Sequence, residues 1–144
     1  MTPESRQLAA NFVANKGKLP WPVERGIIVT GFGRQTITPG VVIDNPYIEI
    51  ATQKGAVARA AFEGEVTSVI RIPGANKAVM IRHGNYITAY KNLSKVFVKE
   101  GDKVKTKQSI GEIFTSPTNG NTVLSFTIFK DLQTQNPAVW IYKM

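Results

Sequence analysis

The sequence contains no cysteine and only one histidine, His83, in 144 residues. The first absence excludes disulfides and thiol chemistry. The second removes the side chain from which most catalytic zinc sites are built, because such sites take three His, Cys or carboxylate ligands and leave one position open for water. No apolar run approaches the roughly 20 residues needed to cross a bilayer as a helix, so the chain is not read as membrane-spanning. No signal peptide is visible at Met1; the sequence is compatible with a fragment of a longer protein, so that gap does not argue for a cytoplasmic home. Acidic residues are scarce, 10 against 18 Lys and Arg, which leaves a formal charge of +8. Such a surplus favours an acidic partner: nucleic acid, an anionic cell-wall polymer or an acidic protein face. Lys91, Lys95, Lys99, Lys103, Lys105 and Lys107 are dispersed rather than interleaved with stacking aromatics. A solvated basic surface is therefore favoured over a nucleic-acid groove, and neither nucleic acid nor a cofactor is expected.

What is present fits one folded domain, with 42% hydrophobic and 19% charged residues. Thr2-Pro3-Glu4 reads as a helix start, with Thr as N-cap and Pro at the first helical position. Leu8, Ala9, Phe12 and Val13 share one face of that helix until Gly17 stops it. Residues 1–17 are read as the end of a coiled coil rather than an element packed on the domain, because nothing else in the chain is helical enough to pair with them. Lys18-Leu-Pro-Trp-Pro22 is a stiff linker in which two prolines forbid helix. Beyond it, short β-branched and aromatic runs predict strands at Ile27–Gly31, Tyr47–Ala51, Ala56–Ala60, Gly64–Ile72, Ala78–His83, Tyr86–Asn92 and Thr122–Phe129. Gly84-Asn85 fits a two-residue hairpin turn. Gly33–Asp44 and Thr115–Gly120 are expected to be loops that rim a cleft. The fold class is all-β, a two-layer or barrel-like antiparallel β-sandwich with a short N-terminal helix.

The strand at Thr122–Phe129 reads as the floor of that cleft. Alternation sends Leu124, Phe126 and Ile128 into a core and Val123, Ser125 and Thr127 to the opposite face. Tyr47, Glu49, Tyr90 and Asn92 are assigned to the same groove-facing parity, with Arg34 and Arg82 at the rim. Aromatic anchors among hydrogen-bonding groups suit a groove for a peptide segment.

The order of segments then becomes recognisable. Gly31-Phe-Gly33, Glu49-Ile-Ala-Thr-Gln-Lys-Gly55, Ala60-Ala-Phe-Glu-Gly-Glu-Val66, Ile81 to Leu93, Gly101 to Gly111 and Asn136-Pro137 with Trp140 resemble the lysostaphin-like LytM peptidase domain from about Leu19 to Ile141. Active members of that family carry H-x-x-x-D, Y-x-H-L and H-x-H, which hold one zinc and position the water. By that resemblance Asn45 stands at the first zinc-binding His and Glu49 at the Asp. Asn92, in Tyr90-Lys-Asn-Leu93, stands at the catalytic His, and Val123-Leu-Ser125 replaces H-x-H. His83 falls on a position that binds no metal and is expected to be a hydrogen-bonded or solvated strand-end residue. Glu49 with Asp44 is expected to be solvated surface rather than a cation site.

Lys18-Leu-Pro-Trp-Pro-Val23 leading into Gly31-Phe-Gly33 is similar to the start of the degenerate LytM domain of EnvC-type murein hydrolase activators, which assigns residues 18–144 to that domain. The resemblance implies a non-catalytic protein of the periplasm or cell envelope, without catalytic or metal-binding residues. In that family the domain follows a signal peptide and a coiled coil, and it switches on an N-acetylmuramoyl-L-alanine amidase during daughter-cell separation. The alternative it leaves open is direct binding of peptidoglycan by a pseudo-peptidase domain.

Overall fold

The computed structural model describes residues 2–71, 73 and 76–143, the side chain of Ile37 apart. A helix, α1 (Pro3–Ala14), precedes twelve strands: β1 (Ile27–Thr30), β2 (Gly33–Thr38), β3 (Val41–Asn45), β4 (Ile48–Thr52), β5 (Val57–Arg59), β6 (Gly64–Ile70), β7 (Lys77–His83), β8 (Tyr86–Val96), β9 (Lys103–Val104), β10 (Ser109–Ile113), β11 (Thr122–Lys130) and β12 (Gln133–Gln135). The expected strand over Gly64–Ile72 runs to Ile70, and Ile72 lies outside the described residues.

Ten of these strands form one antiparallel sheet, with the path β1-β4-β11-β8-β7-β6-β9, while β2 and β3 pair only with each other. The long β8 also pairs near its end with β10, which in turn pairs with β5. This is an open sheet and not a closed barrel, because β1 and β9 end the order without meeting. The alternation expected of β11 holds: Leu124, Phe126 and Ile128 are fully buried, and Leu124 and Phe126 lie opposite Ile50 and Ile48 of β4. Gly84 turns β7 into β8 with φ of +73°, a conformation glycine adopts without a side-chain clash.

The stretch expected to be a loop, Gly33–Asp44, is instead the β2–β3 hairpin. Gly40, at φ +82°, provides the reversal, and the β-branched run Val41-Val42-Ile43 supplies a strand. All three of those side chains are exposed, as are Ile27, Ile28 and Val29 on the edge strand β1.

The N-terminal helix does not stand apart. Phe12 is completely buried among Phe62, His83, Tyr86 and Trp140, with ring centroids 4.8–5.7 Å away. At Gly84 an added Cβ would stand 2.5 Å from both Ala9 Cβ and the Ser5 carbonyl oxygen, so the helix crosses the hairpin at a distance only glycine permits. Residue 17 therefore marks no packing boundary. The partner that α1 lacked in sequence is not a second helix but an aromatic cluster contributed by distant strands and the C-terminal segment.

Candidate functional site

The neighbouring strands β4, β11, β8 and β7 lay one face of the sheet open. Directly opposed residues of adjacent strands point to the same side. One row runs Glu49, Ser125, Lys91, Ala78, and the next places Thr127, Ala89 and Met80 together. A further pair, Ala51 and Val123, extends the face toward the ends of β4 and β11. Glu49, Val123 and Ser125 are half-buried and Lys91 is exposed, whereas Ala78, Ala89 and Thr127 are buried, so the accessible part of this face is the shallow strip from Glu49 through Val123 and Ser125 to Lys91. Tyr47, half-buried just ahead of β4, continues the side on which Glu49 lies. Arg82 lies on the same face as Ala78 and Met80, on β7, two strands away from β11, where it pairs with Glu65 of β6 at 3.2 Å, and Arg34 is exposed on β2 opposite Asp44 of β3.

Two of the residues assigned to the groove are not available there. Tyr90 is fully buried in the core, opposite Phe126 with ring centroids 5.3 Å apart. The physical reason lies two residues on: Asn92 adopts φ of +75° and is bulged out of the β7–β8 pairing, so strict alternation across Tyr90-Lys91-Asn92 fails. Lys91 takes the groove position that alternation had assigned to Tyr90. Thr127 has the expected parity but is buried, and its Oγ1 has no hydrogen-bond partner among the described residues. Lys91 was missed in the sequence; the signal was its register opposite Ser125, which becomes visible only once the bulge is known.

Asn45 and Asn92, which the resemblance aligns with histidines of active members, have side chains already engaged with the backbone. The Asn45 side-chain amide donates to the carbonyls of Gly31 at 2.7 Å and Tyr47 at 2.8 Å, tying the base of the β2–β3 hairpin to the flanking segments. Asn92 Nδ2 donates to the Val123 carbonyl at 2.7 Å, and Asn92 Oδ1 accepts from Asn76 at 2.6 Å. Val123 has no donor atom and Ser125 only a hydroxyl, which leaves Glu49 as the lone carboxylate of the set. These residues do not fit a zinc ion of the His and carboxylate kind. Among the described residues, no three His, Cys, Asp or Glu side chains are gathered closely enough to share a metal.

His83 is on the other side of the sheet, in the core, where sequence had offered either a bonded or a solvated residue. Its Nδ1 lies 2.7 Å from the Glu63 carbonyl and its Nε2 2.9 Å from Thr88 Oγ1. A carbonyl only accepts, so Nδ1 carries the proton and the Thr88 hydroxyl donates to Nε2. Thr88 in turn accepts from Tyr90 at 2.8 Å, and Tyr90 accepts the Ala61 N–H at 2.9 Å. The relay is fully satisfied with a neutral ring. Burial holds the imidazole at a pKa of about 4, against the opposing pull of the Glu63 carbonyl, and pushes the Tyr90 phenol up to about 12.

Comparison with known proteins agrees with this frame. Residues 45–137 match the sequence profile of peptidase family M23. The peptidoglycan DD-endopeptidase ShyA of Vibrio cholerae is 39% identical over 64 residues, which is 44% of this chain and 15% of that protein. The chain thus spans a small part of that relative's length. Among solved structures, Helicobacter pylori Csd3 superposes with a TM-score of 0.73 at 25% identity, over 90% of this chain and 36% of Csd3. A chain of the SpoIIQ–SpoIIIAH pore-forming complex superposes with a TM-score of 0.71 at 26% identity, over 89% of this chain and 93% of its own length. With its sheet, its motif order and residues 45–137 all in agreement, the chain belongs to peptidase family M23.

Proposed function

We propose that this domain is a non-catalytic activator in the periplasm or cell envelope, which binds and switches on a cell-wall N-acetylmuramoyl-L-alanine amidase during cell separation. The observation that carries the proposal is the use of Asn45 and Asn92, which the resemblance aligns with histidines of active members, as backbone ties. The family's sheet is present, and among the described residues no three His, Cys, Asp or Glu side chains are gathered to hold a metal. What remains is a shallow face with Tyr47, Glu49, Lys91, Asn92, Val123 and Ser125 along it, and an exposed apolar hairpin nearby. Such a face suits a segment of the amidase, a helix that otherwise blocks its active site. Capture of that helix shifts the enzyme toward its open state only through higher affinity for that state. A chain of the same fold that is found in a two-protein complex supports use of the fold as a binding module.

The test is dye release from labelled peptidoglycan by a cognate amidase, with and without this domain, alongside the domain alone and a chelator control. Stimulation by an otherwise inert domain supports the proposal. Chelator-sensitive release by the domain alone overturns it. Val123→Glu places a charge on the half-buried groove floor and is expected to lower amidase stimulation at least about tenfold with the thermal midpoint nearly unchanged, since a surface-facing substitution is worth about 0.5 kcal/mol. Unaltered stimulation by that variant would remove the groove from the interface. Tyr90 does not serve for this purpose, because a charge at its core position disrupts folding.

Direct attachment to peptidoglycan is the second proposal, favoured by membership of peptidase family M23, because a face without metal chemistry can still hold the wall. Salt-resistant pelleting with purified sacculi in the absence of amidase distinguishes it.

A further inference from the structure

Four cationic side chains that are scattered in sequence line a single cleft of about 580 Å³, away from the groove. Arg25 precedes β1, Lys54 lies in the turn after β4, Arg59 is on β5 and Lys107 is in the turn before β10. Glu24 is the one carboxylate in the lining. Ion pairs among the described residues are Arg82–Glu65 and Lys95–Glu112, so none of the four cations is neutralised by a neighbour within 4.0 Å. Like charges held around one cleft repel each other, and a bound anion relieves that repulsion.

The backbone under these side chains is fixed rather than loose. Arg59 Nε donates to the Trp21 carbonyl at 2.9 Å, which leaves the two terminal amino groups of the guanidinium for another acceptor. Thr52 Oγ1 donates to the Arg25 carbonyl at 2.6 Å and ties that segment to the end of β4. Lys107 is held at φ of +70°, uncommon for a residue with a side chain, by an N–H bond of 2.8 Å to the Ala60 carbonyl. No aromatic ring lines the cleft, so the base stacking that single-stranded nucleic acid requires is missing. The Ser109 hydroxyl and the Gln53 amide add neutral hydrogen-bonding groups beside the cations.

We propose that this cleft is a binding site for a multivalent oxyanion, either a phosphate or a cluster of carboxylates. Arg59 provides the forked contact and Arg25, Lys54 and Lys107 the surrounding charge. The site shares no residue with the groove and does not depend on amidase binding.

Isothermal titration calorimetry at constant ionic strength tests the site, with inorganic pyrophosphate as the phosphate probe and citrate as the carboxylate probe. Lys54→Glu/Lys107→Glu changes two exposed residues of the cleft. Lys99→Glu/Lys143→Glu makes the same change in net charge at exposed positions outside it. The native chain and the second variant are expected to bind at least one probe saturably, and the first variant at least tenfold more weakly. Binding of pyrophosphate alone assigns a phosphate ligand, of citrate alone a carboxylate ligand, and of both an oxyanion site of broad acceptance. No saturable binding of either probe by the native chain overturns the proposal, as does equal weakening in the two variants.

Discussion

Phe12→Ala is expected to destabilise the fold by about 3–5 kcal/mol, the usual cost of emptying a buried aromatic site that cannot collapse. The cavity would open between His83, stacked on the ring at 4.8 Å and 17°, and Trp140 at 4.9 Å. These neighbours belong to a β-hairpin and to the C-terminal segment, so they cannot move together to close it. Apart from this ring and Ala9, α1 buries little, and its next residue, Val13, is 46% exposed. Val13→Ala is the matched control, expected to cost less than about 0.5 kcal/mol. Urea unfolding followed by circular dichroism distinguishes the two. A loss below about 1 kcal/mol for Phe12→Ala would show that the helix contributes little to the domain and that its docking is marginal.

That helix shows where sequence stops being informative. Its capping and its apolar face were both legible, and the structure has Thr2 accepting from the Ser5 N–H at 3.0 Å as an N-cap should. What covers the face was not legible, because Phe62, His83, Tyr86 and Trp140 come together only through the sheet. The same division runs through the groove. The alternation of β11 could be counted from Leu124, Phe126 and Ile128 because nothing interrupts that strand. Counting failed in β8, where one left-handed residue, Asn92, turns Tyr90 into the core and leaves Lys91 facing out. The β2–β3 hairpin was hidden for a different reason: Val41, Val42 and Ile43 are all exposed, so no period-two burial pattern marks them as a strand. That the chain holds a single histidine, by contrast, is plain in the bare sequence. The structure adds that Asn45 and Asn92, which the resemblance aligns with two histidines, are engaged in holding the backbone.

The second large effect concerns pH. His83 is buried and neutral, with a pKa of about 4 against 6.5 for an exposed imidazole. Between those two values the unfolded chain binds a proton that the folded chain refuses, so stability rises with pH across that window. The contribution is fully present above 6.5, declines as the pH falls, and loses nothing further below about 4. A difference of this size corresponds to roughly 3 kcal/mol. Carboxylates titrate in the lower part of the same range, so the quantity to read is the difference between the native chain and His83→Gln. The variant removes the titrating group and is expected to be less stable at pH 7.5, because the bonds to Glu63 and Thr88 are disturbed, yet to lose about 3 kcal/mol less than the native chain between pH 7.5 and 4. Urea midpoints at several pH values across this interval supply the measurement, and the imidazole resonances of the folded chain should stay those of a neutral ring down to about pH 5. Parallel stability profiles, or an imidazole that titrates near its free value, would show that the ring is hydrated in solution and that the relay from Ala61 to Glu63 opens. In that event α1 would be the element that moves, since Phe12 is the ring stacked directly on His83.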